Sequence, residues 1–343
     1  MSARTLSQRD LNRALLARQL LLERSPLSIT QAVERVGGLQ TQYAPAGYVG
    51  LWTRLRAFER DALTRALEDH TIIQATLLRT TIHMVSRAEF WRYAVAIRGP
   101  RRAWALKVRP RGADEAAMVA SARRLREALR DGPKTVKELD GLISGFLGVA
   151  GLWVDLVRVP PSGTWVKRRA DRLGLAEDWV GPEDASEEDG LTHVVRAYLR
   201  AFGPAPLRDA STWSAIPLAA LKRGAANVEL VRHEDGEGGE LLDLPGAPLP
   251  DAGTPAPVRF LPHWDAALLV HARRTGILPE EHRSRVFNSK NPFSVGTVIV
   301  DGRVVAAWSS KEGRIVLDPY EPLGRRDRDA IEDERAALEA FHA

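Results

Sequence analysis

The sequence predicts an α+β protein built from several modules, and three observations lead to this prediction. Helical segments followed by a two-stranded β-ribbon occur at least twice, and a third time if residues 76–85 form a ribbon. Leu244–Pro257, rich in Pro, Gly and Ala, separates these repeats from a C-terminal region of predicted strands. A chain of 343 residues has the length of about two to four domains. We expect domains at residues 1–112, 113–185, 186–250 and 251–343.

Composition narrows the possible functions. The chain contains no cysteine, which excludes disulfides, thiolate nucleophiles and cysteine metal sites. A net charge of +5 and a sequence pI near 9.7 favour a polyanionic partner without identifying one. Residues 1–22 carry charges throughout, and no apolar run reaches a membrane-spanning length. We therefore expect a cytoplasmic protein with no membrane partner.

The first predicted module holds several helices and a strand-forming run. Ser7 and Ser28 are placed to cap its first two helices, and the second helix is predicted to stop at Gly37-Gly38. A capping-box pattern at Ser86 predicts another helix start. The predicted segments are helices at Ser7–Glu23, after Pro26 and at Trp52–Leu67, a strand or hairpin at Thr76–Val85, and a helix from Ser86.

Two glutamines, Gln40 and Gln42, lie between the second helix and Pro45. The glycine pair before them and Pro45 after them are breakers, so this segment is predicted to be extended. Residues i and i+2 of an extended segment face the same side, so both amides would point one way. Taken alone, such a pair is more often explained by hydrogen bonds to nearby backbone groups, and that interpretation stays open here.

The most basic part of the chain is residues 91–113, which contain seven basic residues, three aromatic residues and no acidic one. Basic side chains interleaved with aromatics suit phosphate contact and base packing. A solvated helix face with buried aromatics explains the same pattern equally well. The residues are Arg92, Arg98, Arg101, Arg102, Lys107, Arg109 and Arg111, with Trp91, Tyr93 and Trp104.

The second module has the clearest ribbon. Trp153–Val159 and Thr164–Arg168 flank the turn residues Pro160–Gly163 and predict strand, turn and strand. Predicted helices precede this ribbon, and Lys167 and Arg168 lie on it, which is the outline of a winged helix. Such a module offers a helix to the major groove of DNA and its ribbon to the adjacent backbone.

The rest of the chain continues this pattern and then departs from it. Gly181–Gly190 is acidic and is predicted to be an exposed linker. The basic connector Arg273–Asn291 suits a DNA-facing loop, and a solvated loop explains it as well. The predicted elements are a helix from Leu191, a hairpin of Val228–Val231 with Glu240–Leu244, strands at Val258–Leu261, Phe293–Val300, Arg303–Ser309 and Arg314–Leu317 with turns at Asp301-Gly302 and Glu312-Gly313, and helices at Trp264–His271 and Asp327–His342.

Seven short motifs are spread over nearly the whole length of the chain: Gly38–Gln42, Leu51–Leu55, Leu78–Val85, Pro160–Trp165, Tyr198–Ala205, Leu261–Asp265 and Val300–Arg303. In these motifs the chain resembles the bacterial winged-helix DNA glycosylases of the AlkZ and YcaQ family. The resemblance implies three tandem winged-helix domains and a C-terminal β-barrel-like subdomain around a DNA channel.

The resemblance also implies an activity. Family members hydrolyse the N-glycosidic bond of alkylated purines in double-stranded DNA, chiefly N7-alkylguanine adducts and, in some members, interstrand crosslinks. Their catalytic motif is glutamine, any residue, then glutamine or aspartate, and Gln40 and Gln42 match its glutamine form. The chain departs from the family at Thr81 and Ile82, where a glycine and an aromatic residue often precede the histidine that is His83 here. We expect a monofunctional glycosylase that needs no cofactor.

Physical chemistry permits this role for glutamines. A neutral amide has no proton-accepting pKa near neutrality and cannot be a general base. Its oxygen can accept a hydrogen bond from water while its dipole faces the positive charge that develops on an oxocarbenium-like sugar. An N7-alkylated guanine is already cationic and leaves without a strong acid. Weakly acting groups therefore suffice for this class of substrate.

Other candidate residues are assigned to binding or to structure. We predict that His83 binds substrate, with Arg79 and Thr80 beside it on a strand, although a lone histidine is more often structural. Capping or packing is the favoured role of His263 and Asp265. The further DNA-binding candidates are Tyr43, Arg101, Arg102, Lys167, Arg168, Arg273 and Arg274.

The histidines show no metal-ligand spacing, so no metal is expected, and we expect a monomer that associates with the nucleoid. A catalytically silent winged-helix protein, such as a transcriptional regulator or a damage binder, is the alternative function.

Overall fold

A computed structural model of the chain describes residues 4–109, 113–143, 147–269, 276–287 and 294–343. Arg111, Arg273 and Arg274 lie outside the described residues. The strands are β1 Thr5–Leu6, β2 Leu39–Gln40, β3 Ile72–Thr76, β4 Ile82–Ser86, β5 Lys134–Thr135, β6 Leu156–Arg158, β7 Arg172–Leu175, β8 Val231–Asp235, β9 Glu240–Asp243, β10 Arg259–Leu261, β11 Gly296–Val300, β12 Arg303–Lys311 and β13 Arg314–Pro319.

The helices follow the same chain order, and the part of the chain that is described contains no helix long and apolar enough to cross a membrane. They are α1 Gln8–Arg18, α2 Ile29–Arg35, α3 Pro45–Trp52, α4 Arg60–Glu68, α5 Arg87–Val108, α6 Glu115–Ala128, α7 Val136–Ile143, α8 Leu147–Ala150, α9 Ala176–Val180, α10 Glu187–Phe202, α11 Leu207–Ser214, α12 Leu218–Ala225, α13 Ala266–Leu269, α14 Arg283–Val286 and α15 Arg325–His342.

The serine caps predicted for the first helices are confirmed. The Ser7 hydroxyl accepts from the Asp10 N–H, and the Asp10 carboxylate accepts from the Ser7 N–H, which completes a capping box for α1. Ser28 caps α2 in the same reciprocal way, and the Ser86 hydroxyl accepts from the Glu89 N–H at the start of α5. Local sequence signals therefore set where these helices begin.

Two predictions about helices were wrong. The helical rhythm of Trp52–Leu67 is interrupted, because α3 ends at Trp52 and α4 begins at Arg60. Between them the main chain of Arg54 and Arg56 pairs with Ser25. The acidic stretch Gly181–Gly190 is only partly a linker, since its last four residues begin α10. Carboxylates in that first turn favour the positive end of the helix dipole.

The first two predicted ribbons join in one antiparallel sheet of six strands, in the order β2-β4-β3-β6-β7-β5. The connection is the pairing of β3 with β6, in which Gln74 lies opposite Arg158 and Ala75 opposite Val157. The third ribbon, β8 and β9, adds β1 from the N-terminus in parallel. The predicted repeats are thus tied together by main-chain hydrogen bonds.

The predicted strand Thr164–Arg168 is also wrong. The second strand of this ribbon is β7, and residues 164–168 belong to the long loop between β6 and β7. The loop folds on itself: the Gly163 N–H donates to the Lys167 carbonyl at 2.8 Å, and the Thr164 hydroxyl donates to the Pro161 carbonyl at 2.7 Å. These local bonds occupy groups that a strand ladder would need.

The C-terminal region forms an open antiparallel sheet in the order β10-β11-β12-β13, packed against α15. Its predicted turns are confirmed, with positive φ at Asp301-Gly302 and at Glu312-Gly313. In the described residues β10 and β13 are the two edges of this sheet, so the barrel-like shape implied by the family resemblance is not confirmed.

Two buried ion pairs tie distant parts of the chain together. Arg18 on α1 bonds Asp243 at the end of β9 at 2.6 Å, and Arg54 after α3 bonds Asp265 at 2.9 Å. Asp265 also accepts from the Ala267 N–H, which confirms its predicted capping and packing role. Removing one partner of such a pair leaves a buried charge and costs about 3–5 kcal/mol. The two pairs therefore fix α1 against the end of β9, and the segment after α3 against the start of α13.

Candidate active site

The glutamine segment forms an edge of the six-stranded sheet. Leu39 and Gln40 pair with Met84 and His83 of β4, and the Thr41 N–H donates to the carbonyl of the next β4 residue at 2.8 Å. The predicted extended conformation is confirmed as far as Thr41, and Gln42 follows in a bend before α3. Gly38 makes this path possible, since its φ is +84° and a Cβ there would lie 3.1 Å from the Met84 carbonyl oxygen.

Both amide oxygens contact the same hairpin, formed by β3 and β4. The Gln40 oxygen accepts from the Arg79 guanidinium at 2.6 Å, and the Gln42 oxygen accepts from the Ile82 N–H at 3.1 Å. A carboxamide oxygen has two lone pairs, so each oxygen can accept one further hydrogen bond. Gln40 is half-buried and Gln42 is exposed. The hairpin therefore fixes both amides at an accessible edge.

Arg79 and Thr80 lie at the turn of this hairpin, which corrects their predicted place on a strand. The Leu77 N–H donates to the Thr81 carbonyl across the turn, and Arg79 and Thr80 have φ values of +53° and +59°. Two adjacent non-glycine residues in this region cost free energy, and such conformations cluster at functional sites. The turn directs the Arg79 guanidinium back toward Gln40. The guanidinium also donates to the Trp213 carbonyl. Burial lowers the pKa of Arg79 to about 10, which leaves it charged at neutral pH.

His83 lies below this surface with 3% of its area exposed. Its Nδ1–H donates to the Thr81 carbonyl at 3.0 Å. Burial, aided by the charge of Arg79 and opposed by the bond to Thr81, lowers the pKa of His83 to about 3. The ring is therefore neutral at physiological pH, and its depth allows it to act on a substrate only through its neighbours.

Gln74 is a buried part of the site that the sequence interpretation missed. Its Nε2 donates to the hydroxyl of Thr41, the residue between the two glutamines, at 3.0 Å. A Cβ on Gly163 would lie 2.2 Å from the Gln74 oxygen, so the loop between β6 and β7 closes over this amide. A signal was available, because an amide inside the apolar run Ile72–Leu77 requires a buried partner.

Some of the predicted DNA-binding residues meet at a pocket of about 340 Å³ beside the hairpin turn. Arg79, Thr80 and Arg101 line it, together with Trp104 and Lys107. Trp104 is 46% exposed, whereas Arg101 is buried and bonds Asp155 at 2.7 Å. Arg102 is half-buried and is not part of this pocket. Arg101 is therefore committed to an ion pair, and the accessible groups are at the turn and at Trp104.

Three further predicted DNA-binding residues are Tyr43, which follows Gln42 directly, and Lys167 and Arg168 on the loop between β6 and β7. Arg168, on the loop between β6 and β7, donates to the Tyr43 hydroxyl at 2.9 Å. Lys167 is exposed on the same loop. Within the described residues no group of three His, Asp or Glu side chains could hold a metal ion. The site thus consists of amides, cations and aromatic rings.

Comparison with known proteins agrees with this fold. The family described as AlkZ-like DNA glycosylases matches residues 33–341. A protein of Streptomyces sahachiroi named interstrand DNA cross-link repair glycosylase is 25% identical over an alignment 345 positions long, which covers 93% of this chain and 92% of that protein. The solved structure of the Streptomyces sahachiroi DNA glycosylase AlkZ superposes with a TM-score of 0.81 at 20% identity, over 98% of this chain and 97% of that one. The family match spans nearly the whole chain, which therefore belongs to the AlkZ-like DNA glycosylase family.

Proposed function

We propose that the protein hydrolyses the N-glycosidic bond of N7-alkylated guanine in double-stranded DNA, with the attacking water held by Gln40 and Gln42. The observation that carries this proposal is the pair of amide oxygens fixed against one hairpin, each with one lone pair already used. Each oxygen keeps a second lone pair that can accept a hydrogen bond from the attacking water. No carboxylate bonds to either glutamine among the residues described.

The chemistry follows from the neutrality of these groups. The amides orient water and place their negative dipole ends toward the positive charge that develops on the sugar. They do not remove a proton in the rate-limiting step, since an amide is too weakly basic. A cationic N7-alkylguanine supplies its own leaving-group activation, so no acid is required. His83, buried and neutral, supports the strand from below and is not a proton donor.

The proposed substrates include bulky adducts and interstrand crosslinks. Support comes from the relative in Streptomyces sahachiroi, whose name assigns it to cross-link repair. Both partners of a crosslink remain joined to their sugars, so the enzyme must act without a small enclosed base pocket at the glycosidic bond. Gln42 is exposed at an edge, which suits such a substrate.

DNA contacts are proposed according to accessibility. Arg79 has guanidinium N–H groups beyond those bonded to Gln40 and Trp213, and these suit a phosphate oxygen. Lys167 and Arg168 are exposed, and Arg168 bonds Tyr43, the residue after Gln42, so both suit contact with the DNA backbone beside the glutamines. Arg102, which is half-buried, and Arg101, which is buried and paired with Asp155, would act on DNA only through their positive potential.

We further propose that the three predicted winged-helix modules and the C-terminal region act as one monomeric unit. The sheet that joins β3 to β6 and the buried Arg18–Asp243 pair support this arrangement, because both fix one module against another.

A base-release assay tests the proposal. Duplex DNA that contains 7-methylguanine is incubated with excess protein, and the released base is measured over time. Gln40→Ala and Gln42→Ala are each expected to slow release by about a hundredfold, the scale on which one polar group that stabilises a transition state acts. DNA affinity, measured separately, should change little.

Gln8→Ala is the matched control, because Gln8 is an exposed glutamine at the start of α1. Its release rate should equal that of the unmodified protein. Full activity in the Gln40→Ala/Gln42→Ala double variant would overturn the mechanism. Binding to DNA with no release of any N7-alkylguanine would instead identify a silent DNA-binding protein.

A further inference from the structure

A second pocket, of about 430 Å³, begins one residue beyond Gln42, between the start of α3 and the C-terminal sheet. Aromatic rings dominate its lining, including Tyr43, Trp165, His263 and Trp308. The Tyr43 and His263 rings meet edge to face at 5.7 Å, and His263 lies 6.3 Å from Trp308. A volume of this size is in the range of sites that bind small organic molecules.

One polar atom on each of three of these rings is already bonded within the protein. The Trp308 N–H donates to the Leu261 carbonyl at 2.8 Å, and the His263 Nδ1–H donates to the Ser294 carbonyl at 2.7 Å. The Tyr43 hydroxyl accepts from Arg168. What these rings can offer to a ligand is therefore mainly their apolar and π surface.

Charge in the pocket argues against a phosphate as its occupant. Its lining has one arginine, Arg168, and one carboxylate, Glu312, so the cationic excess that a phosphate needs is missing. The Arg168 guanidinium lies 5.9 Å from the centroid of Tyr43 and 5.8 Å from that of Trp165. A planar ring placed among these groups would gain stacking and cation–π contacts.

The position of the pocket relates it to the glycosidic bond. In guanine, N7 is separated from the glycosidic nitrogen N9 by a single ring carbon. A substituent on N7 must therefore lie close to the groups that act on that bond. Tyr43 follows Gln42 directly in the chain and forms part of the pocket wall.

We propose that this pocket binds the planar aromatic part of a substituent attached to N7 of guanine, so that the enzyme favours adducts with aromatic groups. This inference rests on the proposed glycosylase function. The pocket stays empty with a small N7-alkyl group, and its contacts accelerate release only when the adduct has a ring to insert.

The test uses three duplexes with one modified guanine each: N7-methyl, N7-benzyl and N7-cyclohexylmethyl. The last two substituents have similar size but differ in planarity. Single-turnover release is measured for each duplex and divided by its uncatalysed depurination rate. We expect the benzyl adduct to exceed the cyclohexylmethyl adduct by roughly tenfold, the scale of one aromatic stacking contact.

Ser310→Trp should remove this preference by filling the pocket. Ser310 lines the pocket and is exposed on β12, two residues after Trp308 and thus on the same strand face. Val316→Trp is the matched control, because Val316 is 44% exposed on the neighbouring strand and outside the pocket. Trp165→Leu, which removes one ring without adding bulk, is expected to reduce the benzyl preference as well.

The outcomes distinguish a failure of the pocket proposal from a failure of the proposed glycosylase function. Release of 7-methylguanine with equal rates for the benzyl and cyclohexylmethyl adducts overturns the pocket proposal and leaves the glycosylase function intact. A benzyl preference that survives in both Ser310→Trp and Trp165→Leu also overturns it. If the protein releases none of the three bases, the proposed function fails, and the pocket proposal fails with it.

Discussion

The six-stranded sheet ends in two edge strands of two residues each, β2 and β5, and their polar residues are used differently. At β5 the Thr135 N–H and hydroxyl both donate to the Glu138 carboxylate at 2.6 Å, and this starts α7. After β2, helix α3 starts at Pro45 with no side-chain cap. Gln40 and Gln42 therefore do not cap α3, and their amide oxygens are bonded to the β3–β4 hairpin instead. Polar residues beside a helix start that do not cap it are candidates for function.

The two edges also differ in how deeply they are supported. The turn before β2 packs against helices α10 and α11, where a Cβ on Gly37 would lie 3.2 Å from Ala201 and 3.3 Å from Trp213. The turn before β5 contains Gly132, which has no atom within 4 Å of a Cβ position. The β2 edge is thus built into the core, and the β5 edge is a surface feature. Substitutions at the β2 edge should therefore lower the stability more than substitutions at the β5 edge.

The largest expected difference in stability between the two edges comes from two glycines with positive φ. Gly163 lies against the Gln74 amide beside β2, and Gly132 lies in the turn before β5. Gly163→Ala should destabilise the fold by about 3 kcal/mol, because the left-handed backbone disfavours alanine and the new Cβ would overlap the buried Gln74 amide. Gly132→Ala, with open space around it, should cost only the backbone part, about 1–2 kcal/mol. Denaturant unfolding measures both values. Equal losses of stability at the two positions would show that the Gln74 side chain moves away from the new Cβ at little cost in free energy.

Acid should weaken the β2 edge before the β5 edge. Burial lowers the pKa of His83 from 6.5 to about 3, so the unfolded chain binds a proton there at pH 5 and the folded chain does not. Stability from this residue is therefore lost as pH falls below about 6.5, by roughly 2 kcal/mol between pH 7 and pH 5. His193 on α10, whose burial also lowers its pKa to about 3, should add a similar loss.

At the β5 edge acid also lowers the stability, but it does so at a lower pH than at the β2 edge. The hydrogen bond from the Thr135 hydroxyl lowers the pKa of Glu138 below 4.5, so its stabilisation persists at pH 5 and is lost only on further acidification. The free energy of unfolding of the His83→Asn variant, measured at pH 7 and pH 5, gives the contribution of His83 at the β2 edge. The loss of stability between these pH values should be roughly 2 kcal/mol smaller than in the unmodified protein, and an unchanged loss would contradict the buried neutral state of His83.

What the sequence could predict at these edges depends on the range of the interactions. Ser7, Ser28 and Asp301-Gly302 act through neighbours within three residues, so their caps and turn were predictable. The pairing of β3 with β6 joins residues far apart in the chain, and no local pattern encodes it. For the same reason the glutamine motif could be found from sequence, whereas the contact of Arg79 with Gln40 depends on a left-handed turn.

The smallest expected effect concerns the hydrogen bond between Gln74 and Thr41. Gln74→Leu keeps the approximate volume but leaves the hydroxyl of Thr41, a residue only 1% exposed, without its donor, which should cost about 1 kcal/mol of stability. Because Thr41 stands between the two glutamines, base release should slow by roughly threefold to tenfold with unchanged DNA affinity. Glu138→Gln at the β5 edge is the control and should leave release unaffected.

A double-mutant cycle decides whether Gln74 acts through Thr41. Thr41→Val removes the hydroxyl that Gln74 holds, and replacing both partners by apolar groups can be nearly neutral. The Gln74→Leu/Thr41→Val variant should therefore release 7-methylguanine no more slowly than either single variant. Additive losses would mean that Gln74 and Thr41 influence the glutamines independently. In that case the β2 edge would be positioned mainly by Arg79 and the main chain of Ile82.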